Sequence, residues 1–259
     1  MNKRLDNFIY SQNSINTYKS CPIKFKYKYI DKINWRFDDI ESRQYYEGLK
    51  LGRDFHLICE RYFNNIPLGL DEKSKSKFGK YIDKIKDLIK IDKESIYLPE
   101  YEIRYKLKED IIVAKYDLII INQENIEIWD WKTENKKINH KNFEFRMQTI
   151  VYMMLAREVL PKIYNLNIDA KDFKMKYYQP EFNDKPVIIS YSEDKHKSNK
   201  EKIIEYIKMI KETKYSEEDK DFRFELIKNS KHCKFCEFNK LCNNQDVNYE
   251  ILEEEVYEC

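Results

Sequence analysis

The stretch from 97 to 133 constrains the fold most, because there the apolar pattern leaves the helical period. Segments 97–107, 111–121 and 126–133 are rich in Ile, Val, Tyr and Trp, and short polar turns separate them. Runs of this kind predict three successive strands. Helical patterns flank them. A helix is expected from about 43 to 63 and a Lys-rich one from about 74 to 90. Another runs from about 142 to 159 and stops at Pro161. Residues 172–180 and 186–192 read as two more strands, 194–213 as an amphipathic helix, and 14–30 as a short helix interrupted by Pro22. The expected core is helix, three strands, helix, strand, an α/β arrangement with helical flanks. Neither an internal repeat nor a Gly-, Ser- or Pro-rich linker divides the chain, so 1–259 is expected to be a single domain.

Two acids interrupt this apolar frame. Asp117 follows the apolar residues 111–114 and precedes 118–121. Farther on, Asp130 and Lys132 alternate within Ile126-Glu127-Ile128-Trp129-Asp130-Trp131-Lys132-Thr133 and so share one face of a strand. An Asp and a Lys at the end of an apolar strand are costly unless they bind something. Two carboxylates brought together by a sheet repel each other unless a divalent cation lies between them. A lysine beside such a cation can orient or deprotonate water and offset charge on a phosphate oxygen. An ordinary strand-end ion pair explains D-x-K alone far better, and Asp117 one hairpin earlier brings the two readings level.

Other residues join this pattern. His56 follows Gly48 and Gly52 at spacings of eight and four on one helix face. Glycine inside a helix costs about 0.5–1 kcal/mol relative to alanine, so the pair predicts close approach by another element. Gln148 and Tyr152 share a face with Phe145, Leu155 and Val159. That is a core stripe in which a glutamine amide must still find partners. Cys233-x2-Cys236-x5-Cys242, with Cys21 far upstream, supplies four thiolates for one closed site, and zinc and an iron–sulfur cluster are both open readings. Cys59 reads as a small apolar residue on a helix, and Cys259 belongs to an acidic tail, 243–259. In Lys24-Phe25-Lys26-Tyr27-Lys28-Tyr29, Phe25 and Tyr29 can pack inward while Lys24 and Lys28 face phosphates; a solvated lysine face is an equal alternative.

Composition excludes several classes. The 48 basic and 46 acidic side chains nearly cancel, so affinity for a polyanion must come from local patches. Only four glycines occur, and they are not clustered as a Walker-type phosphate loop or a dinucleotide fingerprint requires. The N-terminus lacks an apolar signal core and no run approaches a membrane span. The expectation is a soluble, cytoplasmic protein without membrane partners, whose six cysteines serve as metal ligands or free thiols rather than disulfides.

Asp117 followed across a hairpin by Asp130-Trp131-Lys132 resembles the core signature of the PD-(D/E)XK nuclease superfamily. Three elements resemble its RecB-like branch: Gly52-Arg53-Asp54-Phe55-His56 its G-x-x-x-H motif, Gln148-Thr149-Ile150-Val151-Tyr152 its Q-x-x-x-Y motif, and Ser14-Ile15-Asn16-Thr17-Tyr18-Lys19-Ser20-Cys21-Pro22 its N-terminal cysteine segment. The likeness runs from about 14 to 242. It departs at Lys115, where the family often has glycine. The resemblance implies a restriction-endonuclease-like core and a metal-dependent deoxyribonuclease, an exonuclease on DNA ends or single strands in recombination, repair or CRISPR adaptation. It implies Mn²⁺ or Mg²⁺ held by His56, Asp117, Asp130 and the Trp131 carbonyl. Lys132 would position water, Gln148 and Tyr152 would support the site or bind substrate, and Glu102 would hold a metal-bound water. It further implies a [4Fe–4S] cluster, in preference to zinc, on Cys21, Cys233, Cys236 and Cys242, joining 14–30 to 231–242 and so stapling the chain ends. Stand-alone nucleases of CRISPR spacer acquisition and the AddB-type nuclease domain share this layout, which implies DNA and a helicase or integrase as partners. The competing expectation is a non-catalytic DNA-end-binding or scaffold subunit in which the acids are vestigial.

Overall fold

The computed structural model describes residues 5–34, 40–70, 72–134, 137, 141–215 and 231–247. The acidic tail beyond 247, with Cys259, lies outside the described residues. In chain order the elements are β1 (Ile9–Ser11), α1 (Gln12–Ser20), α2 (Pro22–Phe25) with a π-helical turn (Lys26–Ile30), α3 (Ile40–Phe63) and α4 (Glu72–Leu88). The three central strands follow: β2 (Ile96–Leu107), β3 (Asp110–Ile121) and β4 (Ile126–Trp131). The chain continues with α5 (Met147–Tyr164), β5 (Phe173–Tyr178), β6 (Val187–Ser190), α6 (Glu193–Glu212) and α7 (Asn239–Asn243).

This is a mixed α/β fold built on one six-stranded sheet. β2 runs antiparallel along the whole of one edge of β3. The opposite edge is shared: β1 lies parallel to Ile111–Val113, and β4 antiparallel to Leu118–Ile121. β5 then adds parallel to β4 and β6 antiparallel to β5. Between Val113 and Leu118, β3 therefore has no strand partner on that edge among the described residues.

Two apolar layers cover the sheet. On one side α3 and α4 bury Phe55, Ile58, Phe78, Ile82, Ile85 and Ile89 against Leu118, Ile120, Trp129 and Trp131. The α4 residues recur at three- and four-residue spacing, the pattern of a helix with one core-facing stripe. On the other side α5 packs with α1 and α6 over Ile119, Ile121, Ile126, Ile128 and Met175. α5 is buried all round from Thr149 to Ala156, as a helix wedged between a sheet and two other helices must be.

Three expectations need correction. β1 does not figure among the expected strands, since three residues are too few to show a period. α5 passes through Pro161 to Tyr164. Buried Leu160 and a left-handed cap at Asn165 (φ 52°) hold this last turn despite the missing proline N–H. Phe145, expected in the stripe of α5, instead lies in a 3-10 turn before the helix and is 61% exposed.

The alternation of β3 changes phase at Asp117. Ile112, Ala114 and Tyr116 belong to the α5-side core, Leu118 and Ile120 to the α3-side core, and Ile119 and Ile121 to the α5 side again. β2 slips with it: Ile103 and Leu107 face α5, yet so does Leu98, with Glu100 between them in the left-handed region (φ 50°). Because both strands slip together, the pairs Pro99↔Leu118 and Tyr101↔Tyr116 keep one register. A strand flips its faces after a one-residue offset, and here the flip turns an apolar strand into a platform for acids.

Candidate active site

β3 and β4 pair as far as Leu118↔Trp129 and then part. Beyond that point the Trp131 N–H donates to Oδ2 of Asp117, at 2.7 Å, instead of to a strand carbonyl. Oδ1 of Asp117 lies 3.1 Å from Nδ1 of His56 on α3, and Oε1 of Glu100 lies 4.0 Å from the same nitrogen. The donor atoms of His56, Glu100 and Asp117 fall within 4.8 Å of one another, a set that could hold a metal ion. Gly52 lets α3 come this close. A Cβ there would sit 3.0 Å from Oγ1 of Thr133, the residue after the D-x-K triplet, whereas one at Gly48 would meet nothing within 4 Å. Among the described residues, the close approach predicted for the glycine pair thus belongs to Gly52.

Electrostatics in this corner call for positive charge. Burial works against a charged His56, but the carboxylate of Asp117, by charge and hydrogen bond, and the charges of Asp130 and Glu100 outweigh it. They raise its pKa to about 9. The charged imidazolium offsets part of the negative charge of these acids.

Asp130 forms a second knot, only 2% exposed. Oδ2 is 2.7 Å from Nζ of Lys132, Oδ1 accepts from the Gln148 amide, and Lys132 donates to Oε1 of Gln148 at 3.4 Å. Burial pushes the pKa of Asp130 upward, Lys132 and His56 pull it down, Asp117 adds to the rise, and the balance is upward. For Lys132, burial is overcome by Asp130, Glu134 and Asp117, so it keeps its proton. The Lys132 ammonium is the partner of Oδ2 and the Gln148 amide that of Oδ1, so the buried carboxylate is held from both sides.

Tyr152 supports the frame. Its hydroxyl donates to the carbonyl of Lys115 at 2.6 Å, in the stretch of β3 without a second strand partner. The ring lies 4.6 Å from that of Tyr116, whose hydroxyl donates to the carbonyl of Tyr152. Burial, with Asp130 and Asp117, raises the Tyr152 pKa, so its hydroxyl stays a neutral donor.

Glu102 does not reach this corner. It is exposed and pairs with Arg104 at 2.8 Å, and Glu100 takes the place expected of it. The coincident slip of β2 and β3 is the cause. Its signal in the sequence is Pro99, since proline within a strand marks an edge or an irregularity. Lys115, 2.6 Å from Oε2 of Glu100, is a further residue of this corner that the pattern of the sequence does not assign to the site.

At the other end, Cys21 breaks α1 from α2 in an extended conformation just before Pro22. Its Sγ accepts the Lys24 N–H at 3.4 Å, and Sγ of Cys236 accepts the Phe238 N–H at 3.4 Å. Cys21, Cys233, Cys236 and Cys242 are all half-buried. Cys21 interacts electrostatically with both Cys233 and Cys236. No three of the four sulfurs come within 4.8 Å of one another. Burial pushes the Cys236 thiol up to about 12, against the pull of the Lys24 ammonium. The two lysines expected to face phosphates are engaged here, Lys24 2.6 Å and Lys28 4.0 Å from Glu237; Lys26 between them lies 2.5 Å from Asp31. Phe25 is buried as expected, with the Tyr29 ring 5.1 Å away.

The sequence matches the family model of the PD-(D/E)XK nuclease superfamily over two overlapping stretches, 9–89 and 68–243. The chain belongs to the PD-(D/E)XK nuclease superfamily. PD-(D/E)XK nucleases use divalent metals, and His56, Glu100 and Asp117 offer this member a place for one. The fold is also similar to that of a protein from Eubacterium rectale named "Putative exonuclease", at 12% identity and a TM-score of 0.48, over 81% of this chain and 84% of that one. It is similar as well to SSO0001, at 16% identity and a TM-score of 0.42, over 92% and 86% of the two chains. Among curated proteins none matches the sequence. No helix among the described residues is long and apolar enough to cross a membrane.

Proposed function

We propose that this PD-(D/E)XK protein is a metal-dependent deoxyribonuclease that hydrolyses phosphodiester bonds, acting as an exonuclease on DNA ends or single strands. The observation that carries the reading is the convergence of His56, Glu100 and Asp117, whose donor atoms could hold a metal ion, beside the buried Asp130–Lys132 pair. Carboxylates crowded together in this way repel one another and favour a cation among them. His56, Asp117, Asp130 and the carbonyl of Trp131 would hold Mn²⁺ or Mg²⁺, with Glu100 added to the set. The imidazole suits Mn²⁺. When bound, the ion supplies Lewis acidity toward phosphate and a water of lowered pKa. Lys132, which keeps its proton, stabilises the charge developing on the phosphoryl oxygens and orients the attacking water. Gln148 holds Asp130 and Lys132 at fixed spacing, and Tyr152 steadies β3 beneath Asp117.

In the same reading Cys21, Cys233, Cys236 and Cys242 hold a [4Fe–4S] cluster that ties 14–30 to 231–242. Four thiols drawn from distant parts of the chain support it, as do the backbone N–H groups aimed at two of the sulfurs and the Lys24 ammonium beside them. Closing so long a loop would remove much entropy from the unfolded chain. Without a phosphate loop of its own, the nuclease would act alone or through the motor of a helicase- or integrase-type partner.

Cleavage of end-labelled single- and double-stranded DNA with Mn²⁺, Mg²⁺ or EDTA tests the activity, using anaerobically purified wild type and Asp130→Ala. Metal-dependent cutting that disappears in the variant is expected. A wild type that cuts nothing under any of these conditions refutes the reading. Iron and acid-labile sulfide, measured on wild type and Cys236→Ala, test the cluster separately.

A further inference from the structure

Lys115 lies at the edge of the His56, Glu100 and Asp117 group, 59% exposed. Its register partner on β2 is Glu102, yet its ammonium lies 2.6 Å from Oε2 of Glu100, two residues away, while Glu102 is taken by Arg104. The left-handed backbone at Glu100 belongs to this diversion. A non-glycine residue is held there only when its surroundings require it. The two oxygens of Glu100, itself only 18% exposed, face different ways: Oε2 toward Lys115, and Oε1 toward His56 at 4.0 Å, within the group of three metal-capable donors. Glu60 and Asp117 add their negative charge around the same ammonium.

We propose that Lys115 and a divalent cation exchange places on Glu100. Lys115 holds the carboxylate while the cleft has no cation. A cation at His56, Glu100 and Asp117 takes the carboxylate over, and the released Lys115 binds a phosphate of the DNA strand entering the cleft. The inference rests on the nuclease reading and adds that one lysine couples metal loading to substrate binding.

The physics favours exchange. A divalent ion outcompetes an ammonium for a carboxylate shared with another acid and an imidazole, and an ion pair with one exposed partner is weak enough to yield. The flexible stem of lysine lets the freed charge swing toward a phosphate, which it binds as a point charge. Linkage then works in both directions: DNA that draws Lys115 off Glu100 raises cation affinity, and the cation raises DNA affinity by the same factor.

Mn²⁺ binding to the full chain, followed by electron paramagnetic resonance with and without a short phosphorothioate oligodeoxynucleotide, tests the exchange. In the wild type the oligonucleotide should raise Mn²⁺ affinity about two- to fivefold, the worth of a weak ion pair. In Lys115→Ala the DNA-free protein should already show that gain, bind the oligonucleotide more weakly, and respond no further to it; Lys115→Arg should behave as wild type. Unchanged Mn²⁺ affinity in DNA-free Lys115→Ala, or coupling that persists in it, overturns the proposal. Glu100→Gln should weaken Mn²⁺ binding. If it does not, the exchange is refuted, yet the nuclease reading stands so long as Asp130→Ala still abolishes cleavage. A wild type that binds no Mn²⁺ overturns both.

Discussion

Replacing Asp130 by Asn should make the metal-free protein more stable while ending any catalysis, because the folded state holds this carboxylate against its preference. Burial and Asp117 raise its pKa from 3.8 to about 6 despite the attraction of Lys132 and His56. A carboxyl that binds its proton more tightly folded than unfolded destabilises the fold as pH rises: the penalty is absent below 3.8 and complete above about 6. At about 1.36 kcal/mol per pKa unit, the cost near neutrality is on the order of a few kcal/mol. This already includes the lost attraction to Lys132, since the raised pKa is the balance of all these charges. Asparagine must still turn its amide toward an ammonium, so the expected gain is about 1–3 kcal/mol, or a few degrees of melting temperature for a chain of this size. The assay is chemical denaturation in EDTA of wild type and Asp130→Asn, near pH 7.5 and near pH 4. The variant should be the more stable at the higher pH and equal at the lower. Excess Mn²⁺ should then stabilise the wild type by about 2.7 kcal/mol at a hundred times its dissociation constant, and the variant much less. A variant less stable near pH 7.5, or offset equally at both pH values, would refute the electrostatic argument.

Gly48→Ala and Gly79→Ala, with open space for a Cβ inside helices, should each stabilise by about 0.5–1 kcal/mol in thermal melts. Gly52→Ala should gain less than either and should lower DNA cleavage, since its Cβ would press on Thr133; equal gains at all three sites would contradict the close approach. Tyr152→Phe leaves the Lys115 carbonyl without its donor and should cost about 1–3 kcal/mol in denaturant unfolding. Glu158 is held down to about 2, burial being overcome by hydrogen bonds from Lys200 and Tyr105. Its contribution to stability is therefore full above pH 4.5 and lost as pH falls through about 2. Glu158→Gln should flatten the acid-unfolding profile in that window, and a profile of unchanged slope would count against the assignment.

The sequence by itself determined the central strands, because Ile, Val, Tyr and Trp in runs broken by polar turns admit little else. It also singled out Asp117, Asp130 and Lys132, which the fold brings close together, since acids and a lysine in apolar strands are costly enough to stand out. His56 was legible through Gly52, and Gln148 through its amide in an apolar stripe. Only the tertiary structure decided that Glu100 faces the cleft and Glu102 does not. That choice depends on two strands slipping phase at the same point, and a period-two pattern read on one strand cannot show what its neighbour does. Likewise, the lysines after Cys21 read from the sequence as a surface for phosphates, but in the fold Lys24 and Lys28 meet Glu237, more than two hundred residues away. Local pattern reports which side chains are expensive to bury. Which of them share one cleft is set by pairings between distant segments, and only the packed sheet and its helices make those.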